Sequence, residues 1–452
     1  MLTMTSCLST DDEDVTYYHD TAITSFTLGT LNQTIHTLSS EGKDSTYIDD
    51  FDASDYVMYI DQLNGLIYNP DSLPVGVDAS KVVCTVSTKN GGTAVIKDID
   101  SDTLKYVGSD SIDFTTERIM YVYSNDMAAR RMYKVNVNVH KEVGDTLVWR
   151  DAVSVNALAG LKGVKAVAMG SYIYAFGTDG TNTKVYRSSI DNADGWTELS
   201  ASVALDANAY ANVYTDNTHL YIYSGSSLMT SSDGATWQTV PMTGSITRLL
   251  GAYDGKVYAL GTDRKIKVSV DGAWADDAME DDADASYIPT DVVSCLSLAD
   301  KTNSDVSRLL LIGQATADGG EKKAVVWGKL QGSLGDVQSS WSYYNQDSES
   351  NYNIPVLHNF TACNYDGGIL ALGADTEAED GEAFTSFYFS PDGGIAWRNE
   401  SLYRLPESFD CDSSVFTIAT DEKNHVWIID GKNGKVWRGW VNRLAWTWQD
   451  VK

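Results

Sequence analysis

A short apolar segment ending in a small turn residue recurs six times in the C-terminal two-thirds of the chain, and it constrains the fold more than any other feature. The six copies are residues 172–177, 220–225, 256–261, 308–313, 368–373 and 425–431. Successive copies are roughly 36 to 60 residues apart, the length of a four-stranded sheet with variable loops. Since each such sheet covers its apolar faces by packing against its neighbours, we predict that residues 144–452 form a β-propeller.

The repeats also predict the extent of each blade. One apolar segment and one later tryptophan per blade give six blades, at about 164–200, 211–241, 246–277, 292–345, 361–401 and 415–450. The segment Thr146–Arg150 has the pattern of one more outer strand and could close the ring by pairing with the last blade. A seventh, degenerate blade is the alternative count.

Four of the repeats continue into a second strand, a Gly/Asp turn and a tryptophan. The clearest examples are Ser231–Trp237 and Phe389–Trp397, with weaker versions at Ser189–Trp196 and Ser269–Trp274. They resemble the Asp-boxes, Ser-x-Asp-x-Gly-x-Thr-Trp, of sialidase-like (BNR-type) propellers. The resemblance implies structural roles. Asp233 and Asp392 accept backbone N–H bonds within their own turns, and Trp237 and Trp397 anchor the hairpins between sheets. Because non-enzymes also contain Asp-boxes, the motif identifies no catalyst.

Residues 20–143 consist of short alternating segments separated by turn-forming clusters. Ile23–Leu28, Tyr56–Ile60 and Lys81–Val86 have the period of two of half-buried strands. Met132–Val139 resembles the closing strand of the immunoglobulin- or cadherin-like modules of Bacteroidetes surface proteins. We therefore predict an Ig/cadherin-like β-sandwich that acts as a spacer.

Residues 1–19 resemble the end of a bacterial lipoprotein signal followed by an acidic tether. Small residues precede Cys7, whose thiol would carry the lipid, and the acidic run Asp11–Asp14 resembles a surface-export signal. A basic and apolar segment upstream would complete such a signal. The whole chain resembles an uncharacterised family of Bacteroidetes surface lipoproteins, which implies an outer-membrane, surface-exposed location and brings no known activity.

The amino-acid composition limits the classes of molecule that the protein is expected to bind. The net charge of −30 disfavours nucleic acid and anionic lipid surfaces, so membrane contact is expected only through the lipid anchor. The 26 Tyr and 12 Trp against 7 Pro favour an all-β fold. The five Cys show no metal-ligand spacing, although Cys363 and Cys411 could pair across neighbouring blades. We expect a monomer with no metal and no cofactor.

No catalytic set is recognisable in the sequence. Tyr403–Pro406 matches a sialidase motif in letters, but it follows the clear Asp-box hairpins instead of preceding the first, so we interpret it as coincidence. A propeller glycosidase needs two carboxylates facing each other across the funnel. Candidates lie at 276–284, which could also hold Ca²⁺ loosely, and at 375–380, although solvated acidic loops explain both stretches.

Propeller ligands commonly bind over the funnel, on the face made by loops from strand two to strand three and from blade to blade. The candidate ligand-binding residues on that face are Arg248, Asp263, Arg264, Tyr287, Tyr352, His358, Tyr403 and Arg404. Exposed Tyr suits sugar stacking, and Arg suits carboxylate binding. The sequence favours a non-enzymatic binding or scaffold protein with a glycan or protein ligand. The alternative is a glycoside hydrolase or lyase with a carboxylate pair in the funnel.

Overall fold

The computed structural model describes residues 16–38, 44–108, 110–270, 273–290, 293–300, 302–316, 320, 322–332, 339–344, 352–375, 386–409 and 415–443. The chain divides into two compact units, Met1–Asp145 with Asn442–Lys452, and Thr146–Val441. The regular structure of the described residues is β-strand apart from the short 3₁₀ helices Ala79–Lys81, Lys89–Gly91, Ala209–Asn212 and Asp282–Tyr287. The prediction of an all-β chain is therefore confirmed. In these ranges no helix has the length and hydropathy needed to cross a bilayer.

The N-terminal unit contains ten of the described strands. They are β1 (Ile23–Leu28), β2 (Thr30–Leu38), β3 (Asp44–Asp52), β4 (Tyr59–Asp61), β5 (Leu66–Tyr68), β6 (Cys84–Thr88), β7 (Thr93–Lys97), β8 (Leu104–Tyr106), β9 (Arg118–Tyr123) and β10 (Arg130–Asn136). The main sheet has the order β4-β5-β10-β9-β7-β8, in which β5 and β10 run parallel and the other pairs run antiparallel. β1 pairs with β6, and β2 with β3.

One apolar core lies between β1, β6 and the main sheet. In β9 every second residue is buried, which is the period of a sheet with one covered face. Tyr133 is fully buried, and its hydroxyl donates to the Gln62 Oε1 at 2.7 Å and to the Thr21 carbonyl at 3.1 Å. A buried phenol needs such a partner, so this contact ties β10 to the start of the described chain.

The second unit contains the remaining strands. They are β11 (Thr146–Trp149), β12 (Val153–Ala159), β13 (Gly163–Met169), β14 (Tyr172–Thr178), β15 (Asn182–Ser189), β16 (Thr197–Leu199), β17 (Leu205–Asp206), β18 (Val213–Thr215), β19 (Leu220–Ser224), β20 (Ser227–Ser231), β21 (Gln238–Val240), β22 (Ile246–Tyr253), β23 (Lys256–Gly261), β24 (Ile266–Val270), β25 (Ala273–Asp276), β26 (Val293–Ala299), β27 (Val306–Thr316), β28 (Lys322–Gly332), β29 (Ser342–Tyr343), β30 (Leu357–Tyr365), β31 (Gly368–Asp375), β32 (Ser386–Ser390), β33 (Arg398–Arg404), β34 (Phe416–Thr420), β35 (Val426–Asp430) and β36 (Asn433–Asn442).

These strands form successive antiparallel sheets. Five sheets follow chain order, as β13 to β16, β18 to β21, β22 to β25, β26 to β29 and β30 to β33. A further sheet has the order β34-β35-β36-β11, so the first strand of the unit pairs with its last. This is the closing strand that the sequence predicted. The first strands of the sheets, called the inner strands, are β13, β18, β22, β26, β30 and β34, and each contacts the next in a closed ring. The prediction of a β-propeller domain is confirmed.

The repeated apolar segments of the sequence are the second strands of these sheets. Every residue of β35 is buried, and in β14 and β23 only the first residue is not. A strand that is covered by a neighbouring sheet on each face needs no polar alternation. The continuous apolar pattern therefore follows from sheet-on-sheet packing.

The two clear Asp/Trp hairpins have matching contacts. The Asp233 carboxylate accepts the N–H groups of Ala235 and Thr236 at 2.8 and 2.6 Å, and the Trp237 indole N–H donates to the Gly234 carbonyl at 3.1 Å. Gly234 has a φ of +77°, a conformation that favours glycine. The hydrogen bonds from Thr236 lower the pKa of Asp233, although burial opposes this.

In the second hairpin, the Asp392 carboxylate accepts the N–H groups of Ile395 and Ala396 at 3.1 and 2.9 Å, and the Trp397 indole donates to the Gly394 carbonyl at 3.0 Å. The two weaker hairpins differ. Trp196 and Trp274 are half-buried, and their indole N–H groups have no hydrogen-bond partner among the described residues. The indole hydrogen bond to the turn carbonyl is therefore shared by two of the four hairpins.

The cysteines that the structure describes are free thiols. Cys84 and Cys363 are buried, and Cys295 is half-buried. Cys363 therefore does not form the pair that the sequence left open. Its suggested partner, Cys411, and the predicted lipid-bearing Cys7 lie outside the described residues.

Candidate functional site

A central channel runs between the inner strands and contains a cavity of ≈ 750 Å³. All six inner strands contribute residues to its wall. The residues that line the cavity include Lys165, Tyr214, Asp216, Asp254, Cys295, Ser297, Thr361, Asn364, Thr417 and Thr420. This volume is in the range of sites that hold small organic ligands.

Hydroxyl groups join neighbouring inner strands at one level of the channel. The N–H of Ala166 donates to the Thr417 Oγ1 at 3.1 Å, and the N–H of Ile418 donates to the Thr361 Oγ1 at 3.3 Å. The N–H of Ala362 donates to the Ser294 Oγ at 3.1 Å. Inner strands of different sheets form no ladder with each other, so these side chains satisfy backbone groups that would otherwise be unpaired.

Lys165 occupies the corresponding position of β13, next to Ala166. We call Lys165, Ser294, Thr361 and Thr417 the channel belt. The Lys165 Nζ lies 3.4 Å from the centroid of the Tyr214 ring and 3.3 Å from the Val293 carbonyl oxygen, to which it donates. No carboxylate of the described residues pairs with this ammonium group. The belt therefore places one lysine and three hydroxyls from four inner strands around one level of the cavity.

The surroundings of Lys165 shift its protonation. Burial lowers the pKa of Lys165 well below its usual range, and the positive charge of Arg248 lowers it further, while Cys295 acts in the opposite direction. Burial also raises the pKa of Cys295 to about 12 and raises the pKa of Tyr214. The Tyr214 hydroxyl donates to the same Val293 carbonyl, at 3.1 Å. The belt end of the channel thus lacks an ionised acid among the residues described.

Carboxylates lie instead toward the turns that join inner strands to second strands. Asp216 accepts N–H bonds from Thr218 and His219 at 2.9 and 2.7 Å, and from the Tyr221 hydroxyl at 3.1 Å. Although burial acts to raise the pKa of Asp216, these hydrogen bonds outweigh it and the pKa is lowered. Asp216 is therefore an ionised turn-forming group and is poorly suited to donate a proton.

A second cavity of ≈ 540 Å³ lies at that end and is bordered by Asp366, Asp421 and Glu422. Asp366 accepts the Tyr403 hydroxyl at 2.8 Å. Asp421 accepts the Trp427 indole N–H at 2.8 Å and lies 3.0 Å from the His425 Nδ1. Burial acts to raise the pKa of Asp421, but the hydrogen bonds from His425 and Trp427 lower it overall. Glu422 accepts the Ser171 hydroxyl at 3.5 Å, so each of the three acids at this cavity has a side-chain partner.

Of the sequence-predicted ligand residues, Arg248 acts on the belt through its charge. It sits near the start of β22, influences Lys165 and Tyr214, and donates through Nη1 to the Thr290 carbonyl at 2.6 Å. Asp263 and Arg264 lie instead on the turn between β23 and β24. Asp263 is 2.5 Å from the Lys267 ammonium.

The remaining predicted residues do not converge on the channel. Tyr287 stacks on Tyr343, with ring centroids 4.7 Å apart. Tyr352 and His358 are exposed, and Arg404 lies at the end of β33 with its carbonyl accepting the Trp149 indole N–H at 2.8 Å. Tyr403 was expected to be exposed but is buried, because its face of β33 packs against Phe389.

The acidic stretch at 276–284 does not supply a carboxylate pair to the channel. Asp276 is the last residue of the outer strand β25 and pairs with Lys267. Asp277 accepts from the Lys329 ammonium at 2.5 Å and from the Trp341 indole at 2.8 Å. Of the stretch 375–380, residues 376–380 lie outside the described residues. Within the described ranges no group of three His, Cys, Asp or Glu residues is arranged to hold a metal ion.

Sequence reasoning missed the channel belt because it followed the second strands. The belt residues precede the apolar repeats, in inner strands with the short segments Lys165-Ala166, Ser294-Cys295, Thr361-Ala362 and Thr417-Ile418. A polar residue followed by a small or apolar one, 7 or 8 residues before three of the six repeats and 14 before a fourth, was the available signal. A lysine in the otherwise apolar segment Gly163–Met169 was the strongest part of it.

Two family models match the chain. The DUF6242 beta propeller domain matches residues 143–449, and the N-terminal domain of the same domain of unknown function (DUF6242) matches residues 26–137. No curated protein matches the chain.

Several solved structures resemble the chain at low identity. BamB from Moraxella catarrhalis is 10% identical, with 65% of this chain and 100% of that chain covered and a TM-score of 0.29. A gluconolactonase from Xanthomonas campestris is 9% identical, with 65% and 96% covered and a TM-score of 0.34. The WD40 domain of coronin from Toxoplasma gondii is 11% identical, with 66% and 87% covered and a TM-score of 0.31. No functional conclusion follows from these similarities.

Proposed function

The chain belongs to the DUF6242 family, and we propose that it is a non-enzymatic binding protein that holds a glycan in the central channel of its propeller. One observation carries this proposal. The channel contains a cavity of ≈ 750 Å³ whose wall combines hydroxyl and amide side chains from several inner strands. Sugars are recognised by such convergent hydrogen-bonding groups in a concave site.

The carboxylates of the described channel favour binding over hydrolysis. A glycosidase needs one carboxylic acid with a raised pKa and a second free carboxylate. Asp216 has a lowered pKa and several donors, and Asp421 is likewise held by its own turn. The glycoside hydrolase or lyase alternative therefore has less support than the binding protein.

The finer architecture belongs to the same proposal. We take the six described sheets of the second unit as six blades, because their inner strands follow one another in a closed ring. We take the hairpins of Asp233 and Asp392 as Asp-boxes, because each carboxylate accepts two N–H groups of its own turn. The N-terminal unit would be a β-sandwich-like spacer.

We further propose that the protein is an outer-membrane lipoprotein of Bacteroidetes type, anchored through Cys7 and exposed at the cell surface. The support is the sequence Thr5-Ser6-Cys7 with the acidic run Asp11–Asp14. Cys7→Ala should move the native protein from the membrane to the soluble fraction, because the acyl chain supplies the affinity for the bilayer. Neutralising the acidic run should leave it membrane-bound but protected from external protease. A wild-type protein found in the cytosol would contradict the location.

The binding proposal is tested with the full chain on a panel of glycans, followed by calorimetry with those that bind. Ser297→Leu places an apolar group in the cavity wall and should weaken binding at least about tenfold. Ser154→Leu is the matched control, because Ser154 is exposed on β12 of the same unit. Equal affinities of the two variants would place the ligand outside the channel. Release of sugar from the same panel would establish the enzyme and overturn the proposal.

A further inference from the structure

We propose that the ligand is an acidic sugar and that its carboxylate binds at the channel belt of Lys165, Ser294, Thr361 and Thr417. This inference rests on the proposed glycan-binding function and names the chemical class of the ligand. It follows from the kinds of hydrogen-bonding group that the belt presents to the cavity.

The belt presents donors to the cavity. The hydroxyl oxygens of Ser294, Thr361 and Thr417 each accept a backbone N–H of the neighbouring inner strand. Their hydroxyl protons have no acceptor among the described residues and are left to donate. A hydroxyl whose oxygen is already engaged is a donor toward any ligand. Three such donors on consecutive inner strands suit an acceptor with several lone pairs.

Lys165 can supply positive charge at the same level when an anion binds, because burial and Arg248 disfavour its ammonium form until it is paired. Its ammonium group has a ring face and one carbonyl as described partners, and no described carboxylate neutralises it. A buried charge is costly unless it is paired, so a carboxylate from a ligand would supply the missing partner. A carboxylate also accepts several hydrogen bonds at once, and bonds between ions are the strong ones.

The opposite end of the channel has the opposite character. Asp216 and Asp254 line the cavity near the turns after β18 and β22. The field along the channel therefore favours a ligand whose acid group points to the belt and whose hydroxyls point to the acidic end. The net charge of −30 repels anions elsewhere on the protein, which makes the belt a selective position.

Binding of the carboxylate should be linked to protonation of Lys165. The charged and titratable groups that face Lys165 from the neighbouring described strands are Tyr214, Arg248 and Cys295. Burial and Arg248 both disfavour the ammonium form, whereas a bound carboxylate favours it. Affinity for the acid should therefore fall as the pH rises, because a proton must be taken up on binding.

The test compares methyl galacturonoside, which carries one carboxylate, with its methyl ester by calorimetry on the full chain, since the two have the same sugar ring and differ in charge. We expect the acid to bind more tightly than the ester. Lys165→Met should lower the affinity for the acid by about 10- to 100-fold, the loss of one charge-assisted contact, and leave the affinity for the ester unchanged. Lys162→Met is the matched control, because Lys162 is exposed just before β13. The fall in affinity with rising pH should be absent in Lys165→Met.

The outcomes separate the two proposals. Equal binding of acid and ester, lost in Ser297→Leu, would overturn the acidic-sugar inference and leave the glycan-binding function standing. An equal loss of affinity for the acid and the ester in Lys165→Met would also overturn the inference, since it would assign Lys165 a structural role. Binding of neither sugar would overturn the inference, and failure of the whole glycan panel would overturn the function as well.

Discussion

Replacement of Trp237 by alanine tests whether the Asp233 hairpin anchors its sheet. The Trp237 side chain is 6% exposed and packs edge-to-face on Phe176, with ring centroids 6.2 Å apart. Truncation of a buried tryptophan costs about 3–5 kcal/mol. The lost indole bond to Gly234 and the lost aromatic pair contribute about 1 kcal/mol each to that total, which places the expected loss in the upper half of the range.

The matched control is Trp274→Ala. Trp274 lies in the corresponding hairpin of the next sheet, but it is half-buried and its indole N–H has no described partner. We expect its truncation to cost less than about 2 kcal/mol, within the usual range of single substitutions. Because both variants replace a tryptophan by alanine, a difference between their stability losses reports the effect of burial and hydrogen bonding and not that of residue type.

Urea denaturation followed by tryptophan fluorescence measures both losses. Trp149 is the first of the 12 tryptophans in the sequence, so the signal reports chiefly on the second unit. Far-UV circular dichroism of the same samples would follow both units. A loss below about 1 kcal/mol for Trp237→Ala, or equal losses for the two variants, would refute the anchoring role.

Substitutions at three further positions test the turn and the belt. Asp233→Ala should lower the free energy of unfolding by about 1–2 kcal/mol at neutral pH. Since hydrogen bonds lower the folded-state pKa of Asp233, the stability difference from wild type, read from urea midpoints, should shrink as the pH falls through the titration range of this carboxyl. Thr417→Val should lower the free energy of unfolding by about 1–3 kcal/mol, because it leaves the Ala166 N–H unpaired, whereas Thr417→Ser should lower it little. Equal losses of stability for the two variants in thermal unfolding would contradict the hydrogen bond. Lys165→Met should gain stability relative to wild type, most at low pH. Burial lowers the folded-state pKa of Lys165, so the unfolded wild type binds more protons and wild-type stability should rise as the pH rises toward the usual pKa of lysine. A stability difference between variant and wild type that does not change with pH would contradict this effect of burial.

The fold was predictable from the sequence to the extent that local chemistry determines it. The apolar runs of β14 and β35 are continuous because neighbouring sheets cover both faces, and that pattern can be recognised in the amino-acid sequence. The hairpin of Asp233 was equally visible, since its bonds span at most three residues. Both features are short in sequence, so a single strand or turn contains all the information needed.

The channel belt was not predictable in the same way. The bonds that define it join residues far apart in the sequence, Ala166 to Thr417 and Ala362 to Ser294. Inner strands converge on an axis and carry small side chains, so their apolar pattern is weaker than that of the second strands. The candidate residues chosen from loops, such as Tyr287 and Tyr403, were instead used for packing. A site made by the register of separate strands becomes visible only when those strands are assembled.

The acidity of the chain has a structural explanation that bears on its function. Turn after turn is closed by a carboxylate that accepts the N–H groups two or three residues ahead, as with Asp61, Asp179, Asp300 and Asp430. A propeller contains many short hairpins, and Asp is among the residues that best close them. A large part of the negative charge is therefore committed to turns and unavailable for proton transfer. The same commitment leaves Lys165 as a channel group that no described carboxylate pairs with, and the proposed recognition of an anion depends on this feature.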